Sequence, residues 1–282
     1  MEWENALRIM RKTSLAVSVV AVLLAVIGLT QLGLAAVAVS EEYERIERIE
    51  EIYRPSTYYG YQAQQAALEN EYNRSSSAFF LQGRFIPDHE SIGWTSPGVL
   101  TLIGLVLSAL AFFGAAMVWL HQAHANMVAA GWRPKYTPRK VLIGYAVPLM
   151  NLIVPFEAMR ELYNRSHGEG DDFAHTTAED VTAWWTAMIV GLLVFSAMIF
   201  KFLIDAGTNL ILMTPLWMEY AVFAFGFVLL LLSAFLFASL TRKITAAQAE
   251  YLPAHPVQAA EERAAQRRMA VTVVPGRADE PY

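Results

Sequence analysis

The chain is 282 residues long, 55% apolar and 17% charged, with a formal net charge of −5. It is too apolar for an ordinary soluble domain and too long for a single anchor, so the bilayer is its expected main solvent. Cysteine is absent, which excludes disulfides, thiolate metal sites, cysteine nucleophiles and palmitoylation.

Residues 1–13 carry Arg8, Arg11 and Lys12 and lead into the apolar run 14–39. This run and three others, 98–120, 183–204 and 216–240, each come near the roughly 20 residues that cross a hydrocarbon core of about 30 Å. The first is expected to be a span rather than a cleaved leader. It far exceeds a signal core, and Glu2 and Glu4 precede it, despite the small-x-small triplet Ala36-Val37-Ala38. Within it Ser14, Ser18, Ala21, Ala25 and Gly28 alternate spacings of four and three, which places them on one helix stripe. Small residues on a stripe let helices approach in lipid, so the stripe is a candidate helix–helix contact and, between copies, a candidate homo-oligomer contact.

Residues 40–97 follow as an external helical loop domain. Tyr43, Ile46, Ile49, Ile52 and Tyr53 share one face of a charged helix that continues the first span outward and ends at Pro55. A second helical run is expected near 62–72, after which Phe79-Phe80 and Phe85-Ile86-Pro87 lead to Trp94. Ten acids against five arginines in this stretch argue against nucleic acid as its target. A self-packed cap or a protein-partner platform remains.

The loops set the orientation. Residues 121–140 carry Arg133, Lys135, Arg139 and Lys140 with no acid, whereas residues 205–215 carry neither lysine nor arginine. The first loop is therefore expected in the cytoplasm and the second outside. The N-terminus and the tail 241–282, which opens with Arg242 and Lys243, then also lie inside a cell membrane. This holds if segment 141–156 returns to the side it entered.

That segment, within the cytoplasmic stretch 121–182, is apolar but broken by Pro148, Asn151 and Pro155. Its sixteen residues would reach only about 24 Å as a straight helix, and two prolines prevent straightness. The expected fold is thus all-α. It is an integral membrane four-helix bundle with a re-entrant or interfacial segment and the external loop domain. Irregular backbone at membrane depth persists only when buried in protein or facing a wet cavity. Asn151, with Asn126, is accordingly a candidate hydrogen-bonding clamp; alternatively Asn151 lines a cytoplasmic vestibule. Glu157, Arg160, Glu161 and Arg165 follow at helical spacings and are expected to pair with one another on a solvated face.

The second span is expected to run on to Gly131, a residue suited to a left-handed helix end. On this extension Trp119 and Asn126 share a face, while His121 and His124 lie on another. Two imidazoles make an incomplete metal site, with Glu157, Glu161, His167 and Asp171 the nearest further ligands in sequence. No metal is expected, nor a haem, because the first, third and fourth spans lack histidine. Lys201 and Asp205, at i and i+4, read as a staple near the outer end of the third span. No phosphate loop, nucleophile elbow or His-Glu-x-x-His occurs, so neither a cofactor nor catalysis is expected.

The run Trp119-Leu120-His121-Gln122-Ala123-His124-Ala125-Asn126, then Gly131, Thr137-Pro138, Gly144-Tyr145-Ala146-Val147-Pro148-Leu149-Met150-Asn151-Leu152, Pro155, Glu161-Leu162-Tyr163 and Ser166, resembles a bacterial multi-spanning family. That family is known as domain of unknown function 4328. The resemblance runs from about Trp119 to Ser166 and extends to the flanking spans as a hydropathy pattern. It implies a membrane fold but no activity. The family pattern favours arginine where Gln122 stands, and Gly-Trp where Arg139-Lys140 stand.

The candidate constellation is therefore Trp119, His121, His124, Asn126, Gly131, Pro148, Asn151, Pro155 and Glu161. Two functions fit it. One is a non-catalytic interaction, regulatory or scaffolding component, with a protein partner at 40–97 or at the cytoplasmic loop. The other is a transporter-like protein handling a small solute or lipid near Asn151.

Overall fold

The computed structural model describes residues 2–53, 64–69, 97–147, 150–170, 173, 175–207 and 214–254. Among these residues the fold is all-α. The order is α1 (Glu2–Tyr53), α2 (Pro97–Ala129), α3 (Pro138–Ala146), a 3-10 turn (Met150–Leu152), α4 (Val154–Ser166), α5 (Glu179–Gly207) and α6 (Leu216–Ala254). Residues 64–69 are also helical. Helices α1, α2, α5 and α6 each contain a stretch long and apolar enough to cross a membrane.

Local chemistry explains the boundaries. Helix α1 has 52 residues, roughly 78 Å at 1.5 Å per residue, so it outlasts a hydrocarbon core of about 30 Å. Its charged continuation reaches Tyr53, and the Ile52 carbonyl there accepts a hydrogen bond from Gln64 Nε2 at 2.7 Å. The rest of the stretch between α1 and α2, including Phe79, Phe80, Phe85 and Trp94, lies outside the described residues, as do Pro148, Asp171 and the tail beyond Ala254. Helix α2 closes at Gly131, whose φ is 97°. The Trp132 N–H donates to Met127 O at 3.1 Å and the Gly131 N–H to Val128 O at 3.0 Å. That paired pattern is a Schellman cap, and its left-handed residue is least strained as glycine. Thr137 caps α3, with Pro138 in the first helical position. Helix α3 stops at Val147, in extended conformation, because a residue before proline is driven out of the α region.

Segment 141–156 is not one kinked half-helix. Helix α3, the 3-10 turn and α4 pack on one another as a helical hairpin. Pro155 lies in the first turn of α4, where no intrahelical bond is lost, so it starts a helix rather than bending one. The two helices touch through Gly144. A Cβ there would stand 2.5 Å from Val154 Cγ1, closer than any side chain allows.

The chain divides into two compact units. The first holds residues 1–18, 113–183 and 236–282, which are the start of α1, the end of α2, the hairpin, the start of α5 and the end of α6. Its buried apolar side chains include Met10, Val17, Leu120, Val141, Met159, Leu162, Val181, Leu240 and Ile244. Polar groups are interleaved with them: Ser14, His124, Asn126, Glu161, Asn164, Arg165, Thr241, Thr245 and Gln248 are buried as well.

The second unit holds residues 19–112 and 184–235 and is packed differently. Ala21, Leu24, Leu32, Ala35, Ala38, Ala187, Phe227 and Ala234 are buried. Phe223 lies between Phe195 and Phe227, with ring centroids 5.6 and 5.8 Å away. Helices α5 and α6 approach at Gly191 and Gly226, where a Cβ on Gly191 would meet the Gly226 carbonyl oxygen at 3.1 Å. Such small-residue contacts serve helices in lipid, where apolar side chains gain little by leaving the solvent. Between the helices of this unit, among the described residues, few polar bonds are added. Thr101 donates its hydroxyl to Gln31 Oε1, and the Tyr220 hydroxyl donates to Leu32 O at 3.1 Å.

Two of the expected contact features find partners on α6. Lys201 pairs with Glu219 of α6 at 2.8 Å, so the staple joins two helices; the Asp205 side chain lies outside the described residues. The small-residue stripe of α1 meets α6 at two of its positions. In the first unit Ser14 donates to Thr241 Oγ1 at 3.4 Å. In the second, a Cβ on Gly28 would meet Leu231 at 2.9 Å. At these two positions the stripe is a contact face for the last helix.

Candidate functional site

The described residues of the constellation gather in the first unit. Trp119 is 0% exposed; its indole N–H donates to Thr245 Oγ1 at 3.0 Å, and its ring stands edge-on to Phe237. The Thr245 hydroxyl in turn donates to Thr241 O at 2.6 Å. One helical turn beyond Trp119, Gln248 of α6 donates through Nε2 to Ala123 O at 3.3 Å and to Ser166 Oγ at 3.1 Å. One amide thus joins α6 to both α2 and α4. Its Oε1 is buried without a hydrogen-bond partner.

The two histidines part company. His121 is exposed, while His124 is buried and donates from Nδ1 to Leu120 O at 3.0 Å. Asn126 donates to Met10 Sδ at 3.3 Å, so its clamp holds α1 through a thioether rather than a released backbone carbonyl. Among the described residues no three His, Cys, Asp or Glu side chains gather as a metal site would require.

Helix α4 departs most from its expected solvated face. Glu161 and Arg165 are 3% and 7% exposed and meet through Arg165 Nε and Glu161 Oε1 at 2.9 Å. Both Glu161 oxygens also accept the Lys135 backbone N–H, at 3.0 and 3.1 Å. The Arg165 guanidinium lies 5.3 Å from the Trp132 ring centroid, and Trp132 tilts against Tyr251 of α6. A buried charge pair is tolerable only with such additional hydrogen bonds. One turn back, Glu157 accepts Lys135 Nζ and the Tyr136 hydroxyl, both at 2.6 Å. The Lys135 ammonium, then the Tyr136 hydroxyl, hold the Glu157 carboxyl below its ordinary value near 4.5. Arg160 instead lies over the Phe156 ring. Helix α4 thus clamps the 131–136 loop with two carboxylates.

Asn151 sits in the 3-10 turn, where its backbone N–H reaches Val147 O at 2.8 Å. Its side-chain Oδ1 is buried without a hydrogen-bond partner, as is the Tyr145 hydroxyl. The clamp expected of Asn151 is therefore not made through its carbonyl oxygen. Around it the hairpin tip is apolar, with Leu152 and Ile153 at 56% and 59% exposure.

Sequence reasoning missed the α6 contribution. Thr241, Thr245 and Gln248 follow at i, i+4 and i+7 on one face, a polar stripe at helical spacing that was legible in the tail. Asn164 was missed too; it donates to both Thr176 O and Thr176 Oγ1, at 3.0 and 3.1 Å, and so ties α4 to the segment leading into α5.

Comparison with known proteins bears on these same residues. No curated protein and no solved structure matches the chain. The profile described as Domain of unknown function (DUF4328) matches residues 94–246. That match takes in α2, the hairpin, α5 and most of α6, well beyond the Trp119–Ser166 stretch whose motifs carry the resemblance. With over half of its length inside the match, the chain belongs to the DUF4328 family.

Proposed function

We propose that this is a non-catalytic multi-pass membrane protein that organises or regulates a protein partner, with both termini in the cytoplasm. The observation that carries this reading is that Trp119, His124, Asn126 and Glu161 are all buried and engaged by the chain itself. Side chains used in this way hold a platform together. The exposed apolar tip at Leu152 and Ile153 and the outer α1 face bearing Tyr43 and Ile46 are surfaces left to meet a partner or lipid. The orientation is supported by the basic groups near both ends. It also draws on the Trp119–Thr245 and Asp180–Lys243 bonds, which bring the end of α2 and the start of α5 to the same end of α6, as a returning hairpin requires.

Photo-crosslinkers at Tyr43 and Leu152 test the partner in intact membranes. A discrete protein adduct at either position is expected, and lipid adducts alone at both would overturn the reading. For orientation, Glu47→Cys and Thr208→Cys should label from outside, while Thr137→Cys and Glu169→Cys should not. A second reading, a transporter-like role for a small solute or lipid, is favoured by the orphaned Asn151 Oδ1 and Tyr145 hydroxyl. An Asn151→Leu, Tyr145→Phe variant that folds normally yet fails to rescue a deletion phenotype would favour it.

A further inference from the structure

In the first unit, α1 and α6 enclose an open groove of about 500 Å³ lined by Arg11, Ser14, Leu15, Arg242, Thr245, Ala246, Ala249 and Glu250. Two arginines from opposite ends of the sequence are brought together here. Ser14, one turn after Arg11, hydrogen-bonds Thr241, the neighbour of Arg242. Both guanidiniums are exposed, and neither has an ion-pair partner among the described residues. Across the groove Ala246 and Ala249 leave the space open, and Glu250 contributes one negative charge against the two positive ones.

We infer that this groove binds the phosphate of an anionic phospholipid, with Arg11 and Arg242 as its paired donors. Two guanidinium forks lining one groove suit a phosphate, whose oxygens accept parallel N–H bonds, better than they suit a cation or an apolar solute. The surroundings favour a lipid phosphate over a dissolved one. Arg11 and Arg242 flank the cytoplasmic ends of the apolar runs 14–39 and 216–240, the depth at which headgroups sit. Leu15, one turn from Arg11 on the same face of α1, is 64% exposed and offers an acyl chain an apolar path toward the span. A second arginine supplied by α6 distinguishes this site from the diffuse attraction of a basic loop. The inference stands independently of the scaffolding reading, since the groove would hold lipid whether or not a protein partner exists.

The test uses the full chain in detergent, with binding of short-chain phosphatidylglycerol measured by native mass spectrometry. Phosphatidylcholine and inorganic phosphate serve as the alternative ligands. Phosphatidylglycerol should bind in preference to phosphatidylcholine, and Arg11→Gln with Arg242→Gln should weaken it by roughly tenfold or more. The charge-matched pair Arg133→Gln with Arg139→Gln should leave binding within about twofold of the original. Ala249→Trp, which fills the groove and keeps both arginines, should also abolish binding and gives a reading if the double variant does not fold. Equal weakening by the two arginine pairs, equal binding of the two lipids, or displacement of phosphatidylglycerol by inorganic phosphate at equal concentration would each overturn the inference.

Discussion

The two units divide the same four long helices between them, yet different interactions hold each together. The first interleaves polar groups through its core: an indole bonded to a threonine, a glutamine joining two helices, and a carboxylate–guanidinium pair held by a backbone N–H and an aromatic face. The second relies on alanine, glycine and phenylalanine contacts with few polar bonds. Packing among small residues aligns apolar helices in lipid, but it does not specify where an irregular hairpin should dock. Directional bonds do, and they concentrate where the hairpin sits.

The sharpest way to break this contrast is to remove one charge from each unit. Glu161→Ala breaks the buried Glu161–Arg165 pair and should cost about 3–5 kcal/mol, seen as a large loss of thermal stability in detergent. Glu219→Ala removes one partner of Lys201, whose side chain keeps 18% exposure, and should cost about 1 kcal/mol or less. Equal losses would mean that the two units do not differ in kind.

Next in size, Gly191→Leu should overpack the α5–α6 approach and Gly144→Leu the hairpin, each costing about 1–3 kcal/mol by thermal unfolding. Proteolysis would sharpen the contrast. The Gly144 variant should expose cleavage sites in 131–153, and the Gly191 variant should not. Smaller still is Asn151→Leu. Because Asn151 Oδ1 has no partner to lose, this variant should fall within about 1 kcal/mol of neutral or be slightly stabilising. A clear loss of melting temperature would restore the clamp.

The smallest effect is electrostatic. Glu157 titrates below its ordinary value, so its pairing contributes stability above pH 4.5 that is lost as the pH falls through the lower folded value. The melting-temperature difference between the native chain and Glu157→Gln should therefore hold at pH 6–7 and vanish in acid. A difference that grows on acidification would reverse the sign of the argument.

Much of this was legible in the residues. The four membrane-length helices follow from long apolar runs, and the Gly131 helix end from a glycine placed after an amphipathic extension. What was misread turns on partners distant in sequence. Glu157 to Arg165 has the spacing of a solvated charged helix, and nothing local reveals that Lys135, Trp132 and α6 cover it. Pro155 looks like a helix breaker until Val154 is found to begin a helix, and the Lys201–Glu219 pair joins two helices that no local spacing connects.

The sequence by itself determined the all-α class, the number of long apolar helices, the broken 141–156 segment and the family to which the chain belongs. These depend on hydropathy, periodicity and local backbone preference, which each short stretch carries alone. Only the tertiary structure decided that the small-residue stripe of α1 meets α6 at Ser14 and Gly28, that Trp119, His124, Asn126 and Glu161 are engaged in internal bonds, and that Arg11 and Arg242 line one groove. The physical reason is that burial and hydrogen-bond pairing belong to two or more segments at once. A polar residue in an apolar run reads as exposed, orphaned or paired only when the segment opposite it is known.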